Sequence, residues 1–271
     1  MRRRKQQKKQ RRNNNSKPNH NEDKTNNRPK KKQKVLDPFW KPYRLKPRSD
    51  NQEDLIRSIK SNTFTCVHGP AGCGKTHIAV GVALQLYKSE FHCYDKIVLA
   101  RPAVEGGGER LGFMPGDAKT KVGNYIEPLN DELSYYISKS GLAQLKSEEK
   151  IKIQPLAFIR GKTFNNAIII VDEAQNATYE QLKMVWTRLG IDSKLIFLGD
   201  VAQSDLKKFE RGGYAKLLKR MKGVHNFEIA ELDIVDIQRN AIVRDMLERD
   251  AELDEEEENA ASTRNEDAST E

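Results

Sequence analysis

Eight residues limit what this chain can fold into. Gly69-Pro70-Ala71-Gly72-Cys73-Gly74-Lys75-Thr76 satisfies the pattern G-x-x-x-x-G-K-[ST] at every specified position. A chain of ordinary composition and this length matches it by chance roughly 1 time in 100, and the flanks narrow the reading further. Thr63 to His68 is β-branched and aromatic and predicts a short strand running into the loop. Ile78, Val82 and Leu86, spaced i, i+4 and i+8, predict a helix leaving it. Strand, glycine loop and helix form an anion cradle, because glycines let backbone N–H groups wrap a phosphate and the helix N-terminus adds partial positive charge. Lys75 is then expected to reach the β- and γ-phosphates of a nucleoside triphosphate, with the Thr76 hydroxyl on Mg²⁺. The alternative is a glycine-rich turn before an ordinary helix.

Such a loop sits inside an α/β sheet, and only the middle of the chain can build one. Residues 1–34 hold 15 Lys and Arg against Glu22 and Asp23, with almost nothing apolar. Residues 248–271 hold 11 Asp and Glu against Arg249 and Arg264. Neither segment can bury enough apolar surface to offset its ordering entropy, so both are expected to be disordered tails, one basic and one acidic. Residues 35–247 are the right size for one α/β domain. The basic tail fits a nucleic-acid arm, a localisation signal or a solvated solubility tail. No apolar run approaches the roughly 18 residues that span a bilayer, and no apolar segment follows the basic N-terminus as in a secretory signal. Cys66, Cys73 and Cys93 are too scattered for a zinc site and odd in number for a disulfide framework, which points to a reducing, cytoplasmic setting. Cys73, inside the phosphate loop, reads as a small filler or as a redox sensor.

A second informative stretch is Asn165-Asn166-Ala167-Ile168-Ile169-Ile170-Val171-Asp172-Glu173. An apolar run ending in two carboxylates describes a buried strand that delivers charge at its C-terminal edge. About 100 residues after a phosphate loop, the aspartate is expected to hold Mg²⁺ and the glutamate to polarise the attacking water. A helix N-cap pair is the plain alternative, although Thr178 and Gln181 look like the capping box of the next helix. That helix carries Leu182, Val185, Trp186 and Leu189 at helical spacing and is expected to close with Gly190 at its C′ position.

Other elements follow by pattern. Asp50 reads as an N-cap with Glu53 completing its box, ahead of Leu55, Ile56 and Ile59. Pro38 to Tyr43 reads as an extended aromatic segment packing on the domain edge or on a base. Lys96 to Ala100 predicts a buried strand that ends at Arg101-Pro102 and leads into Glu105-Gly106-Gly107-Gly108-Glu109-Arg110, where open α/β sheets carry ligand groups. Residues 118–139 are weakly helical, and 140–166 give no clear boundaries. Lys194 to Leu198 predicts another buried strand, ending at Gly199-Asp200-Val201-Ala202-Gln203, where Gln203 could sense a γ-phosphate. Phe227 to Leu232 predicts a last strand, and 238–247 a helix with Ile242 and Met246 on one face.

Taken together, Arg101-Pro-Ala-Val-Glu, Gly112-Phe-Met-Pro-Gly-Asp117, Arg160-Gly-Lys-Thr-Phe, Val171-Asp-Glu-Ala-Gln-Asn176, Thr187-Arg-Leu-Gly190 and Gly199-Asp-Val-Ala-Gln-Ser-Asp205 resemble the PhoH-type ATPases, the phosphate-starvation-inducible proteins of bacteria and their phages. The resemblance covers roughly residues 48–247. It implies a core similar to the first RecA-like domain of superfamily 1 helicases, a parallel sheet sandwiched by helices. By that resemblance Gln52 reads adenine, Arg101 contacts nucleic acid, Gln203 senses the γ-phosphate and Arg239 contacts phosphate. Asn240 stands where many relatives carry histidine. Some relatives also carry an N-terminal PIN nuclease domain, which a 34-residue basic tail is too short to form, so no nuclease activity is expected.

The implied activity is ATP hydrolysis with Mg²⁺, coupled to single-stranded nucleic acid, RNA rather than DNA, in helicase-like remodelling. Catalytic roles fall to Lys75, Glu173, Gln203 and Arg239, the phosphate cradle to Gly69 through Thr76, and the metal to Thr76 and Asp172. One core lacks a second domain to donate a transition-state arginine in cis. A homo-oligomeric ring, hexameric as in the family, would let Arg160, Arg188 or Arg239 reach a neighbour's ATP. Two other readings stay open: a slow ATP-gated nucleic-acid switch without unwinding, and a kinase of a small molecule or protein.

Overall fold

Strand parity builds this molecule. In the computed structural model, β4 (Ala167–Val171) is buried along its whole length, and its side chains divide between two cores. Ile168 and Ile170 enter one; Ala167, Ile169 and Val171 enter the other. β2 (Lys96–Arg101) and β5 (Lys194–Gly199) divide in the same way, with Ile97, Leu99, Ile196 and Leu198 on the first side and Val98, Ala100, Leu195 and Phe197 on the second. Continuous apolar runs of this kind suit a parallel sheet covered by helices on both faces. The structure describes residues 39–42, 44–89, 91, 94–103, 118–203, 206 and 212–237, six isolated positions between 242 and 253, and for 118–125 the backbone only.

The described strands form one six-stranded sheet in the order β3-β2-β4-β5-β1-β6, and every pairing is parallel. The remaining strands are β1 (Phe64–His68), β3 (Ile151–Pro155) and β6 (Phe227–Glu231). On the first face lie α1 (Asp50–Ser61), α2 (Lys75–Tyr87), α3 (Ala118–Tyr136) and α4 (Lys139–Ser147). The second face is covered by α5 (Tyr179–Trp186) and α6 (Gly213–Met221). This is the α/β sandwich expected of a phosphate-loop NTPase. No described helix is long and apolar enough to cross a membrane.

Two helix boundaries differ from the sequence reading. α1 is capped by Ser49, whose hydroxyl accepts the Gln52 N–H, so the helix starts one residue earlier and Asp50 lies in its first turn. α5 opens with the expected Thr178–Gln181 capping box but ends at Trp186, where Thr187 bonds back to the Met184 carbonyl. Gly190 is therefore not its C′ residue. It lies against the Phe164 carbonyl and the Asn165 side chain, where a Cβ would stand 2.5 Å from that carbonyl oxygen. The stretch left open in the sequence holds α4, β3 and a 3₁₀ turn, Leu156–Ile159. Trp40 packs on the domain, bridging to Ile137 and carrying the Lys88 ammonium over its ring. Residues 1–38, the Glu105–Arg110 loop, the Gly112–Asp117 motif, Cys93, Asp205 and Arg239-Asn240 lie outside the described residues. Past them, positions 242, 243, 245 and 246 are helical, and Ile242 and Met246 are both exposed.

α2 carries the phosphate loop, and its position is fixed from every side. From Ile78 to Leu84 each residue is buried. Tyr136 at the end of α3 reaches across it, donating its hydroxyl to the His77 carbonyl at 2.9 Å, while His77 Nδ1 contacts Glu132. Gly81 makes room for that phenol, since a Cβ there would stand 2.5 Å from Tyr136 Oη. In an open helix Gly→Ala gains about 1 kcal/mol, but overpacking a filled core costs about 1–3 kcal/mol. Gly81→Ala is expected to lower stability in chemical denaturation. Combined with Tyr136→Leu, the same change is expected to become neutral or favourable; a loss of equal size in both backgrounds would disprove the steric account.

Candidate functional site

All six strands point their C-terminal ends the same way, and the chemistry-bearing residues collect there, as open α/β sheets require. The loop between β1 and α2 turns through left-handed backbone at Gly72 (φ 89°) and Gly74 (φ 87°), which side chains rarely adopt. Gly69 closes against the residue that follows β6: a Cβ would lie 2.5 Å from the Leu232 carbonyl oxygen. The Lys75 ammonium folds back on the loop, donating to the carbonyls of Gly69 at 2.6 Å and Pro70 at 2.8 Å. Cys73 is fully buried, its thiol donates to the Pro70 carbonyl, and burial pushes that thiol up from its ordinary range. A buried protonated thiol fills space; it is not poised for oxidation.

Parity places the acidic residues. Ala100 and Val171 are paired in register, and the Asp172 N–H continues the ladder to the Ala100 carbonyl at 2.9 Å. Asp172 therefore follows Ile168 and Ile170 to the α2 side, where the first turn of α2 presents Thr76. The Thr76 hydroxyl donates to Asp172 Oδ1 at 2.9 Å. Two hard oxygen ligands thus meet at the helix start, fitting Mg²⁺, which takes one or two protein oxygens and completes its shell with water and phosphate. Among the described residues no group of three or more His, Cys, Asp or Glu could hold a metal without such help.

Arg101 joins the same cluster from the neighbouring strand. Its Nη2 donates to Asp172 Oδ2 at 2.9 Å and to Glu173 Oε1 at 3.3 Å. Asp172 is only 4% exposed. Burial pushes its carboxyl up from the ordinary range, against the opposing pull of Arg101 and Thr76. Glu173 adopts left-handed backbone (φ 54°), uncommon for a residue with a Cβ. Its second oxygen accepts the Gln175 amide at 2.7 Å. Gln175 is buried, and its own carbonyl oxygen accepts the Asp200 N–H at 3.1 Å at the end of β5.

Gln52 is 3% exposed and structurally engaged at both ends. Its Oε1 accepts the Arg48 N–H at 2.9 Å, and its Nε2 donates to the Cys73 carbonyl at 3.1 Å, which ties α1 to the phosphate loop. Gln203 is exposed, four residues beyond β5. Arg160 is exposed and Arg188 half-buried, and Arg239 lies outside the described residues. The sequence reading missed the clamp by Gln175. Its signal was there, an amide two residues after the paired acids, but its partner just past β5 is 25 residues away.

A family model described as PhoH-like protein matches residues 44–249. This chain belongs to the PhoH family. It is 40% identical over 204 residues to a PhoH-like protein of Synechocystis sp., covering 75% of this chain and 61% of that one. A PhoH-like protein of Bacillus subtilis is 41% identical over 204 residues, covering 75% and 63%. Protein PhoH of Escherichia coli K12 is 35% identical over 199 residues, covering 72% and 55%. The chain thus spans about three-fifths of the length of these PhoH relatives. Among solved structures, the large terminase of a thermophilic bacteriophage is matched with a TM-score of 0.45 at 12% identity, covering 75% of this chain and 50% of that one. The UvsW helicase of bacteriophage T4 is matched at 0.42 and 13% identity, covering 72% and 63%. Family and site geometry together give this PhoH-family chain the fold of the phosphate-loop NTPases.

The role of Gln175 in this PhoH core can be measured without any substrate. Gln175→Leu keeps the volume but removes the acceptor of the buried Asp200 N–H. The expected cost is about 1–3 kcal/mol in a denaturant titration. A variant as stable as the wild type would mean that this hydrogen bond holds nothing in place.

Proposed function

We propose that this protein is a Mg²⁺-dependent ATPase coupled to single-stranded nucleic acid, RNA in preference to DNA, and that it works as a helicase-like remodeller. The observation that carries the reading is the 2.9 Å contact between Thr76 and Asp172, with Glu173 next in the chain. It brings phosphate loop and paired acids to one point, the arrangement that phosphoryl transfer to water requires.

In this reading the triphosphate lies along the loop of residues 69–76. Lys75 leaves the Gly69 and Pro70 carbonyls for the β- and γ-phosphates, and the loop N–H groups hold the leaving oxygens. Thr76 and Asp172 would hold the metal, whose charge would offset that developing on the phosphates. Glu173 orients and polarises the attacking water, with Gln175 fixing its carboxylate. Gln203 senses the γ-phosphate from the loop after β5, Gln52 reads adenine beside the loop, and Arg101 and Arg239 meet phosphate. A homo-oligomeric ring, a hexamer, would supply a transition-state arginine from Arg160, Arg188 or Arg239 of a neighbour. Turnover per subunit is then expected to fall on dilution toward monomer.

One observation favours a second reading, an ATP-gated binding switch that hydrolyses slowly and does not unwind. Both Glu173 oxygens are engaged, by Arg101 and by Gln175, so the general base has to be released before it can act. A duplex-unwinding assay with hydrolysable and non-hydrolysable ATP separates the two.

Lys75→Ala is expected to abolish ATP binding in calorimetry. Glu173→Gln is expected to bind ATP with near wild-type affinity while turnover falls on the order of 10²–10⁴-fold. Wild-type turnover in Glu173→Gln would assign water activation to another group, and undiminished binding in Lys75→Ala would remove the nucleotide from this loop.

A further inference from the structure

The Arg101 guanidinium stands where a cation's charge is wanted. One of its nitrogens bonds both members of the acidic pair, while Thr76 takes the other oxygen of Asp172 and Gln175 the other oxygen of Glu173. Each of the four carboxylate oxygens therefore already has a donor. A divalent cation binding at Asp172 would lie within a few ångströms of a fixed positive charge, and in this poorly solvated corner such a repulsion is well above thermal energy. A cation bound there and Arg101 would compete for Asp172.

Arg101 is also poorly satisfied where it is. Its Nε is buried with no hydrogen-bond partner, and one amino group serves both carboxylates. Guanidinium forks favour two parallel bonds to a phosphate or carboxylate, so much of this fork's capacity is unspent. Its side chain is 19% exposed, a route by which an outside anion can reach it. The position is set by the sheet, because Arg101 follows Ala100 just as Asp172 follows its register partner Val171.

We propose that Arg101 is a displaceable counter-ion of the Asp172–Glu173 pair, which a nucleic-acid phosphate draws away so that the divalent cation gains Asp172 and Glu173 gains its water. This rests on the ATPase reading above and adds the element that couples the two ligands. Polynucleotide and Mg²⁺-nucleotide then favour each other's binding, and by linkage the effect is reciprocal.

The test is Mg²⁺ dependence of ADP binding, followed by calorimetry in the full chain, with and without poly(U), for wild type, Arg101→Gln and Arg101→Lys. In the wild type, poly(U) is expected to lower the Mg²⁺ half-saturation about 5-fold or more. Arg101→Gln is expected to show the lowered value without poly(U), to lose any further response to it, and to bind poly(U) with a salt slope reduced by about 1. Arg101→Lys, which keeps the charge, is expected to keep the high half-saturation, and it serves as the informative variant if Arg101→Gln does not fold. Raised or unchanged half-saturation in Arg101→Gln would make Arg101 a plain structural counter-ion and overturn the proposal while leaving the ATPase intact. A wild type that binds ADP with Mg²⁺ yet shows no response to poly(U) would overturn it too. A wild type that binds no ADP at all sinks the ATPase reading, and the coupling with it.

Discussion

The site depends on holding one carboxylate almost out of water. Asp172 is nearly inaccessible, and burial alone would favour its neutral form. Two contacts oppose that cost, the Thr76 hydroxyl and the Arg101 guanidinium. Each comes from a different segment, the first turn of α2 and the last residue of β2, so the phosphate-loop helix, β2 and the acidic strand are joined through one side chain. A buried charge left unpaired would be strongly destabilising. The same contacts that hold the fold together at this corner are those on which the proposed chemistry operates.

Sheet order explains why the corner exists. β4 lies between β2 and β5, with β1 beyond β5, so the acidic strand is flanked by the strand carrying Arg101 and by the strand leading to Asp200. Alternation of side chains then sends Asp172 and Arg101 to the α2 side. Gln175, in the turn that follows, bridges Glu173 to the end of β5. One amide thus spans two adjacent strand ends.

Much of this was legible in the sequence. The loop at 69–76, the buried strands ending at Arg101, Asp172 and Gly199, and the capping box of α5 all follow from short-range patterns. What escaped depends on register or on competition between neighbouring residues. Ser49 displaced Asp50 as the cap of α1 because both can accept an N–H and only the helix start decides between them. Gly190 looked like a helix terminator, but its lack of a side chain serves close approach to Phe164 and Asn165. The bond between Arg101 and Asp172 joins residues 71 apart. No local pattern announces it, because it requires knowing that β2 and β4 are neighbours. The stretch from 140 to 166 was unreadable for another reason: β3 is an edge strand of mixed burial, so its apolar positions lack the continuous run that marked β4.

Helix α2 is apolar around its full circumference in the middle, held by the sheet beneath, by α1 and by Tyr136 across Gly81. A rod wedged in this way cannot slide or roll without opening both of its packed flanks. It therefore serves as a stationary anvil for whatever is gripped at its tip. Adjustment at the site is then left to side chains around that tip, and rotation of a single guanidinium is among the smallest available there.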